Sequence, residues 1–215
     1  MEPLSVLLVC SGNTCRSPMA EALLKRLLDA GDKVQRPVRV QSAGTGALAG
    51  AAATPEAIAV MDERGIDLRG HRARRVTSIL AADADLVLTM EARHRQRVLE
   101  LLPELEGRVF TLKEGARRLG LGGVEQPAGT QRAGGAAGSP PVTSSASGSP
   151  PVTSGVPDDD ITDPFGRPLE VYRQTAAEIE KNLRALLPAL QEWPARERTS
   201  KDKGETRDHA DSAGK

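Results

Sequence analysis

One cysteine and one arginine, separated by five residues, stand where the first apolar segment of the chain ends. Residues 10–17 read CSGNTCRS and follow the apolar run at 4–9. A loop of this length can curl around a phosphoryl group, with the backbone N–H groups of residues 11–16 pointing inward and Cys10 at its centre. Arg16 can add a two-pronged hydrogen bond to the phosphoryl oxygens. The spacing therefore predicts a phosphate-binding loop with a thiolate nucleophile, and we expect the pKa of Cys10 to lie well below about 8.5, the value for a free cysteine.

The spacing alone leaves one alternative open, a structural cysteine that happens to precede a surface arginine. The position of the loop favours the phosphate-binding interpretation, because ligands of parallel sheets bind beyond the carboxyl ends of the strands. The loop also differs from the glycine-lysine loop that binds nucleotides, since it contains no lysine.

Apolar strands alternate with helical segments along the chain, which predicts a parallel sheet covered on both faces. The expected strands are 4–9, 38–40, 85–90 and 108–112. The expected helices are 19–28, with Ser17 as N-cap and Pro18 in the first turn, 54–65, 91–102 and 169–187. The fold class expected is therefore α/β, a small doubly wound parallel four-stranded sheet with helices on both faces.

Two segments have compositions that do not favour a packed core. Residues 121–157 are rich in Gly, Ala, Ser and Pro and contain the sequence GSPPVTS twice, at 138–144 and 148–154. Residues 194–215 mix charged residues with Ser, Gly and Thr. We expect one domain over 1–193, interrupted by a disordered low-complexity insertion at about 121–157, and a disordered charged tail at 194–215.

Charge and hydropathy exclude several classes of protein. The 29 basic residues balance the 29 acidic ones, so no long-range field would attract nucleic acid or a membrane surface. No apolar stretch approaches the length of about 18 to 20 residues that spans a bilayer. Two cysteines five positions apart do not make a secreted disulfide scaffold. We expect a cytoplasmic protein without nucleic-acid or membrane partners.

The chain resembles the low-molecular-weight protein tyrosine phosphatase superfamily. CSGNTCRSPMAE at 10–21 resembles its signature, and the likeness continues in SAGT at 42–45, GHRAR at 70–74, DLVLTM at 85–90 and DPFG at 163–166. The resemblance implies the fold of that family and a cysteine-dependent protein phosphatase with a phosphocysteine intermediate. Cys10 would be the nucleophile, Arg16 would bind the phosphoryl oxygens, and Asp163 would be the general acid. It also implies phosphorylated protein substrates and a monomer.

Within the family, the likeness is greatest to bacterial protein arginine phosphatases. Three features carry it: Thr14, where tyrosine phosphatases usually have a bulky apolar residue, Phe165 followed by Gly166, and VFTLKE at 109–114. The resemblance implies hydrolysis of phosphoarginine and a role in bacterial stress response. A threonine leaves room for a flat guanidinium and offers it a hydroxyl, whereas isoleucine would crowd it. The other interpretation of Thr14 is a residue that merely fits the loop.

The remaining site residues follow from the same likeness. Phe165 would stack against the substrate, or else pack into the core. The substrate-binding loop comprises Ser11, Gly12, Asn13, Thr14, Cys15 and Ser17, and the residues expected to hold its shape by a polar network are Asn13, Ser17, Ser42 and His71. We expect no catalytic role for His94 or His209. No His, Cys or Asp cluster has metal-ligand spacing, so neither a metal nor another cofactor is expected.

Cys15 has two interpretations: it packs inside the loop, or it forms a reversible disulfide with Cys10 that protects the nucleophile from over-oxidation. Three other functions are alternatives to an arginine-directed phosphatase. A tyrosine-directed phosphatase is the nearest of them. An arsenate reductase would need a cysteine after Cys15, and there is none. A non-catalytic phosphate-binding protein would not require Cys10, Arg16 and Asp163 together.

Overall fold

The protein is described from a computed structural model, which covers residues 3–31, 36–120 and 159–194. Its centre is a parallel sheet of four strands in the order β2-β1-β3-β4. The strands are β1 Leu4–Cys10, β2 Val38–Gly44, β3 Leu86–Thr89 and β4 Val109–Thr111. The parallel four-stranded sheet predicted from the alternating pattern is thus confirmed.

Six α-helices connect and cover these strands in the described part of the chain. They are α1 Arg16–Asp29, α2 Pro55–Asp62, α3 Ser78–Ala82, α4 Ala92–Leu101, α5 Leu112–Leu119 and α6 Leu169–Glu192, and a 3₁₀ turn spans Pro103–Arg108. Helices α3 and α5 were not predicted. The strand expected at 108–112 gives way to α5 at Leu112, where Thr111 and Glu114 form a capping box.

The sheet is covered on both faces, as predicted. Along β1, Leu8 and its neighbours two residues apart pack with α1, α2, α5 and α6. The alternate side chains Leu7 and Val9 pack with Ala81 of α3 and Val98 of α4. Because successive side chains of a strand point to opposite faces, the continuous apolar run of β1 fills two separate cores. Every residue of β1 is buried, so its carboxyl end is a rigid base for the loop that follows.

The prediction that Ser17 caps the first helix is wrong. Helix α1 begins two residues earlier than that cap implies, at Arg16, with Cys15 at the N-cap position and no side-chain capping bond. The Ser17 hydroxyl lies instead 3.0 Å from the Cys10 sulfur. The first N–H groups of a helix that follows an anion-binding loop are needed to bind the anion. A side chain that capped these N–H groups would compete with the anion.

Two predicted segments fall largely outside the description. The insertion expected at about 121–157 lies outside the described residues, and so does the tail expected at 194–215, apart from Pro194. Within the described ranges, no helix has both the length and the apolar character to cross a membrane.

Candidate active site

Cys10 is the last residue of β1, and the loop after it returns its own donors to the sulfur. The side chain is almost fully buried. The backbone N–H of Asn13 donates to Cys10 Sγ at 3.2 Å, and Ser17 Oγ lies 3.0 Å from it. The Ser17 hydroxyl also lies 3.3 Å from the Ala43 carbonyl oxygen, and its one proton can turn to the sulfur when Cys10 is a thiolate, which would then accept from two donors.

Asn13 is the centre of the hydrogen-bond network that fixes this loop. Its φ of 53° lies in the left-handed region, which asparagine tolerates better than most residues. Its side-chain N–H₂ donates to Ser17 Oγ and to Ser42 Oγ, both at 2.9 Å. His71 Nε2 donates to its carbonyl at 2.7 Å, and the Arg74 backbone N–H donates to its Oδ1 at 2.9 Å. The structure thus brings together the four residues from which a polar network was expected.

The second strand supports the loop through close backbone contact. The backbone N–H groups of Thr45 and Gly46 donate to the carbonyls of Cys10 and Ser11, each at 2.9 Å. Gly44 ends β2 directly behind these bonds. A Cβ added at Gly44 would lie 2.5 Å from the Ser11 carbonyl oxygen and 2.9 Å from the Asn13 nitrogen. Only glycine fits at this position without moving the loop.

We therefore expect Gly44→Ala to lower the free energy of unfolding by about 1–3 kcal/mol and to reduce phosphatase activity, because the added methyl group displaces loop backbone. Urea denaturation and turnover of p-nitrophenyl phosphate measure the two effects. Gly46→Ala is the matched control, since its Cβ would come no closer than 3.9 Å to the nearest atom. Equal behaviour of the two variants would contradict the close-packing argument.

Arg16 is buried at the end of the loop, and its side chain connects the loop to two other segments of the chain. Its guanidinium forms ion pairs with Glu91, which follows β3, and with Asp163, whose Oδ2 lies 2.6 Å from Nη2. Nη1 also donates to the carbonyl of Ile161 at 2.9 Å. The segment that carries Asp163 is thereby fixed against the phosphate-binding loop, although these residues are far apart in the sequence.

These contacts leave part of the guanidinium available. In the described part of the chain, Nε–H and one N–H of Nη2 of Arg16 have no hydrogen-bond partner. A planar guanidinium presents its five N–H groups in a fixed fork. Arg16 can therefore hold Glu91 and Asp163 and still offer two parallel donors to a phosphoryl group.

The pKa of Cys10 differs from the sequence-based expectation. Burial raises the pKa of its thiol above the ordinary value, and the Ser17 hydrogen bonds, the Arg16 charge and the Asn13 N–H, which all act to lower it, do not outweigh burial. The expectation of a strongly lowered pKa is therefore wrong for this arrangement. The sequence shows the donors around the sulfur, but not how completely the folded core removes the sulfur from solvent.

The other predicted loop residues lie as follows. Ser11 Oγ is 2.8 Å from His94 Nε2, and Gly12 lies beside the Thr14 hydroxyl. Thr14 is partly exposed in the loop, and its Oγ1 lies 3.7 Å from Cys15 Sγ. Cys15 is buried, with Thr54 Oγ1 at 3.5 Å and the Tyr172 hydroxyl at 3.7 Å. Both cysteines are free thiols.

Phe165 projects into solvent from the segment that carries Asp163. Its side chain is 68% exposed, which excludes the alternative that it packs into the core. Its backbone N–H donates to Asp163 Oδ1 at 3.2 Å, so the aromatic ring and the carboxylate share one turn. The exposed ring is available to a substrate.

Three residues at this site were not predicted: Glu91, Arg93 and His94. Arg93 Nε pairs with Glu91 Oε2 at 2.5 Å, and His94 is buried against Ser11. A signal for them exists in the sequence, because they follow the strand DLVLT directly. The carboxyl ends of neighbouring parallel strands meet at one edge of a sheet, so residues just after β3 must approach the loop that follows β1.

A separate cavity of about 660 Å³ lies behind the loop, between α1 and the segment that carries His71. It includes neither Cys10 nor Asp163, and its lining mixes basic and acidic side chains. Across residues 3–31, 36–120 and 159–194, no group of three or more His, Cys, Asp or Glu side chains could hold a metal ion.

Comparison with known proteins gives concordant results. Residues 5–136 match the low molecular weight phosphotyrosine protein phosphatases. The protein-arginine-phosphatase of Bacillus subtilis (strain 168) is 33% identical over 187 residues, which cover 87% of this chain and 97% of that protein. The low molecular weight protein-tyrosine-phosphatase Wzb of Escherichia coli (strain K12) is 46% identical over 106 residues, which cover 49% of this chain and 67% of Wzb.

A solved structure agrees with these sequence matches. The YwlE arginine phosphatase from Geobacillus stearothermophilus superposes with a TM-score of 0.62 at 33% identity, over 88% of this chain and 94% of that one. The chain belongs to the low molecular weight phosphotyrosine protein phosphatase family.

Proposed function

We propose that this protein phosphatase hydrolyses phosphoarginine in proteins through a phosphocysteine intermediate. The phosphatase part rests on one arrangement: Arg16, in the same loop as Cys10, forms an ion pair with Asp163 at 2.6 Å. Nucleophile, oxyanion-binding group and acid are thereby held around a single phosphate-sized loop. The arginine part is supported by Thr14 and by the relative that matches along most of the chain.

The chemistry would proceed in two steps. Cys10, as the thiolate stabilised by Asn13 N–H and the Ser17 hydroxyl, attacks phosphorus in line while the P–N bond breaks. Asp163 gives its proton to the departing guanidine nitrogen. A water then attacks the phosphocysteine, Asp163 takes a proton from that water, and the P–S bond breaks to release phosphate. Arg16 and the loop amides hold the equatorial oxygens throughout.

The leaving group would be recognised by residues at the mouth of the loop. A substrate guanidinium is flat, cationic and rich in N–H donors, so a carboxylate and a hydroxyl oxygen suit it. Asp163 is 40% exposed at its side chain, and in its protonated form the second oxygen of its carboxyl group can still accept from the guanidinium. In the described residues, the Thr14 hydroxyl has only a contact with Cys15 Sγ at 3.7 Å, so its oxygen can accept from the guanidinium. Exposed Phe165 offers a flat ring to stack on it.

A tyrosine-directed phosphatase is the second candidate. The observation in its favour is the 46% identity to Wzb over 106 residues. This identity is higher than the 33% found with the arginine phosphatase of Bacillus subtilis, although it spans fewer residues than the 187 matched there. An aryl phosphate needs a proton on a single ester oxygen, and Asp163 could provide it equally well.

Phosphate release from phosphoarginine, phosphotyrosine and phosphoserine peptides, measured side by side, tests the proposal. We expect the wild-type protein to prefer phosphoarginine. Thr14→Ile should lower kcat/KM for phosphoarginine by about 10- to 100-fold and leave phosphotyrosine hydrolysis within a few-fold, because the apolar side chain crowds and desolvates the guanidinium. Thr14→Ser keeps the hydroxyl and should retain the preference. Preference of the wild-type protein for phosphotyrosine would refute the arginine assignment.

The proposal extends to the setting of the enzyme. It describes a monomeric, cytoplasmic enzyme of bacterial stress response that acts on phosphorylated proteins without a cofactor. A reversible disulfide between Cys10 and Cys15 is part of it, supported by the two free thiols in one short loop. Mass spectrometry after mild peroxide treatment tests this: sulfinic acid on Cys10 without a Cys10–Cys15 bridge would exclude the disulfide.

A further inference from the structure

A buried histidine on α4 contacts the phosphate-binding loop, although the chemistry above makes no use of it. His94 is 2% exposed, and its Nε2 lies 2.8 Å from Ser11 Oγ. Ser11 is the residue after the nucleophile. Its carbonyl accepts from the Gly46 N–H at 2.9 Å, so main chain and side chain are held from two different elements.

The surroundings of the imidazole indicate where its proton lies. His94 Nδ1 is buried and has no hydrogen-bond partner among the described residues. A buried N–H without an acceptor costs more than a buried lone pair without a donor, so the arrangement favours a bare Nδ1 and a proton on Nε2. Burial, assisted by the charges of Arg16 and Arg93 and opposed by those of Glu91 and Asp163, lowers the pKa of His94 to about 4. The ring is then neutral at pH 7 and carries one proton.

This tautomer determines what the Ser11 hydroxyl can do. With the proton on Nε2, His94 donates and Ser11 Oγ accepts. Arg93 Nη2, which can only donate, lies 3.5 Å from the same oxygen. Both lone pairs of Ser11 Oγ are therefore directed at donors, and the hydroxyl proton is left to donate elsewhere. The acceptor that the proposed chemistry brings to this loop is a phosphoryl oxygen.

We propose that His94 is a positioning residue that holds the Ser11 hydroxyl as a hydrogen-bond donor to the bound oxyanion. The inference rests on the proposed function only in that the loop binds a phosphoryl group; it is independent of whether the substrate is phosphoarginine or phosphotyrosine. The bond would stabilise the loop in the bound state and supply one oxyanion donor besides the amides and Arg16.

Steady-state kinetics with p-nitrophenyl phosphate, with inorganic phosphate as the inhibitor, test the proposal. His94→Leu and Ser11→Ala should each lower kcat/KM and weaken phosphate inhibition by about tenfold, the effect of one hydrogen bond to a charged group. The double variant should be no worse than either single variant, because both remove the same bond. His94→Gln, whose amide nitrogen reaches the position of Nε2, should recover most of the loss.

The outcomes separate this inference from the proposed function. Losses that multiply in the double variant, or His94→Gln as impaired as His94→Leu, would overturn the positioning role while the phosphatase activity of the wild-type protein still stands. Failure of the wild-type protein to hydrolyse the ester would instead count against the proposed function.

A measurement without turnover covers the case in which His94→Leu does not fold. The imidazole ¹⁵N shifts of the wild-type protein at pH 7 should show the Nε2–H tautomer for His94. Titration with inorganic phosphate should move the backbone amide signal of residue 11 less in Ser11→Ala than in the wild type. The Nδ1–H tautomer would overturn the inference.

Discussion

Cys10→Ser is expected to lower kcat on any phosphorylated substrate by about 10⁵-fold or more, because a serine hydroxyl in the place of the thiol is far less ionised and a weaker nucleophile. The loop should keep its shape, since the Asn13 N–H can donate to an oxygen as it does to the sulfur, and the Ser17 hydroxyl can donate to a serine hydroxyl or accept from it. Turnover of p-nitrophenyl phosphate measures the loss, and circular dichroism checks the fold.

Cys15→Ser provides the matched control for that result. Cys15 is as buried as Cys10 and lies in the same loop, but its sulfur faces Thr54 and Tyr172 rather than the space that the loop encloses. We expect this variant to keep activity within about tenfold of the wild type, with some loss of stability from the polar substitution. Acid-quenched wild-type enzyme should carry a phosphoryl group on Cys10 alone. Retained turnover in Cys10→Ser, or phosphate trapped on another residue, would refute the mechanism.

Much of the fold could be predicted from the sequence because two strong signals, a continuous apolar run and a helix N-cap followed by proline, are local. The apolar run at 4–9 is uninterrupted, as a strand buried on both faces requires, and it forms β1 with every residue buried. Thr54 and Pro55 begin α2 where predicted, with Thr54 Oγ1 accepting from the Ala57 N–H at 3.3 Å. The parallel direction of the strands follows from the alternation of strands and helices, whereas the strand order β2-β1-β3-β4 was not predicted.

The errors occur where a local signal is overridden by another contact or obscured by the neighbouring residues. Ser17 has the residue type of an N-cap, but the sulfur of Cys10 and the Asn13 side chain occupy its hydroxyl. Helix α5 has a capping box in its sequence, Thr111 with Glu114, which was obscured because the apolar strand runs directly into it. Helix α3 has only five residues, too few for periodicity to show.

The site residues also divide into those that the sequence indicates and those that only the fold brings together. The loop from Cys10 to Ser17 is contiguous, so its spacing and its position after an apolar strand indicated an oxyanion site. Glu91 and His94 follow a neighbouring strand, which indicates that they approach the loop, but their sequence context does not show that Glu91 pairs with Arg16 or that His94 contacts Ser11. The burial that raises the pKa of Cys10 is likewise a property of the assembled core.

Asp163→Asn is expected to have the second largest effect, and its size should depend on the leaving group. The amide keeps the shape of the carboxylate and can accept from Arg16, so the acid segment should stay in place. It cannot give or take the proton. For phosphoarginine and for unactivated aryl phosphates, whose leaving groups need that proton, kcat should fall by about 10²–10⁴-fold. For p-nitrophenyl phosphate, whose leaving group is stable as the anion, the fall should be much smaller.

Asp160→Asn is the control for the loss of one negative charge from this segment, because it leaves the proton of Asp163 in place. Asp160 lies three residues earlier in the same segment, and its Oδ1 accepts from the Ala92 N–H at 2.7 Å at the start of α4, a bond that asparagine can also make. Its kcat should stay near that of the wild type on every substrate. A loss in Asp163→Asn that is equal for good and poor leaving groups would mean that Asp163 only positions Arg16. The dependence on the leaving group is what distinguishes an acid from an ion-pair partner, because only proton transfer becomes dispensable as the leaving group improves.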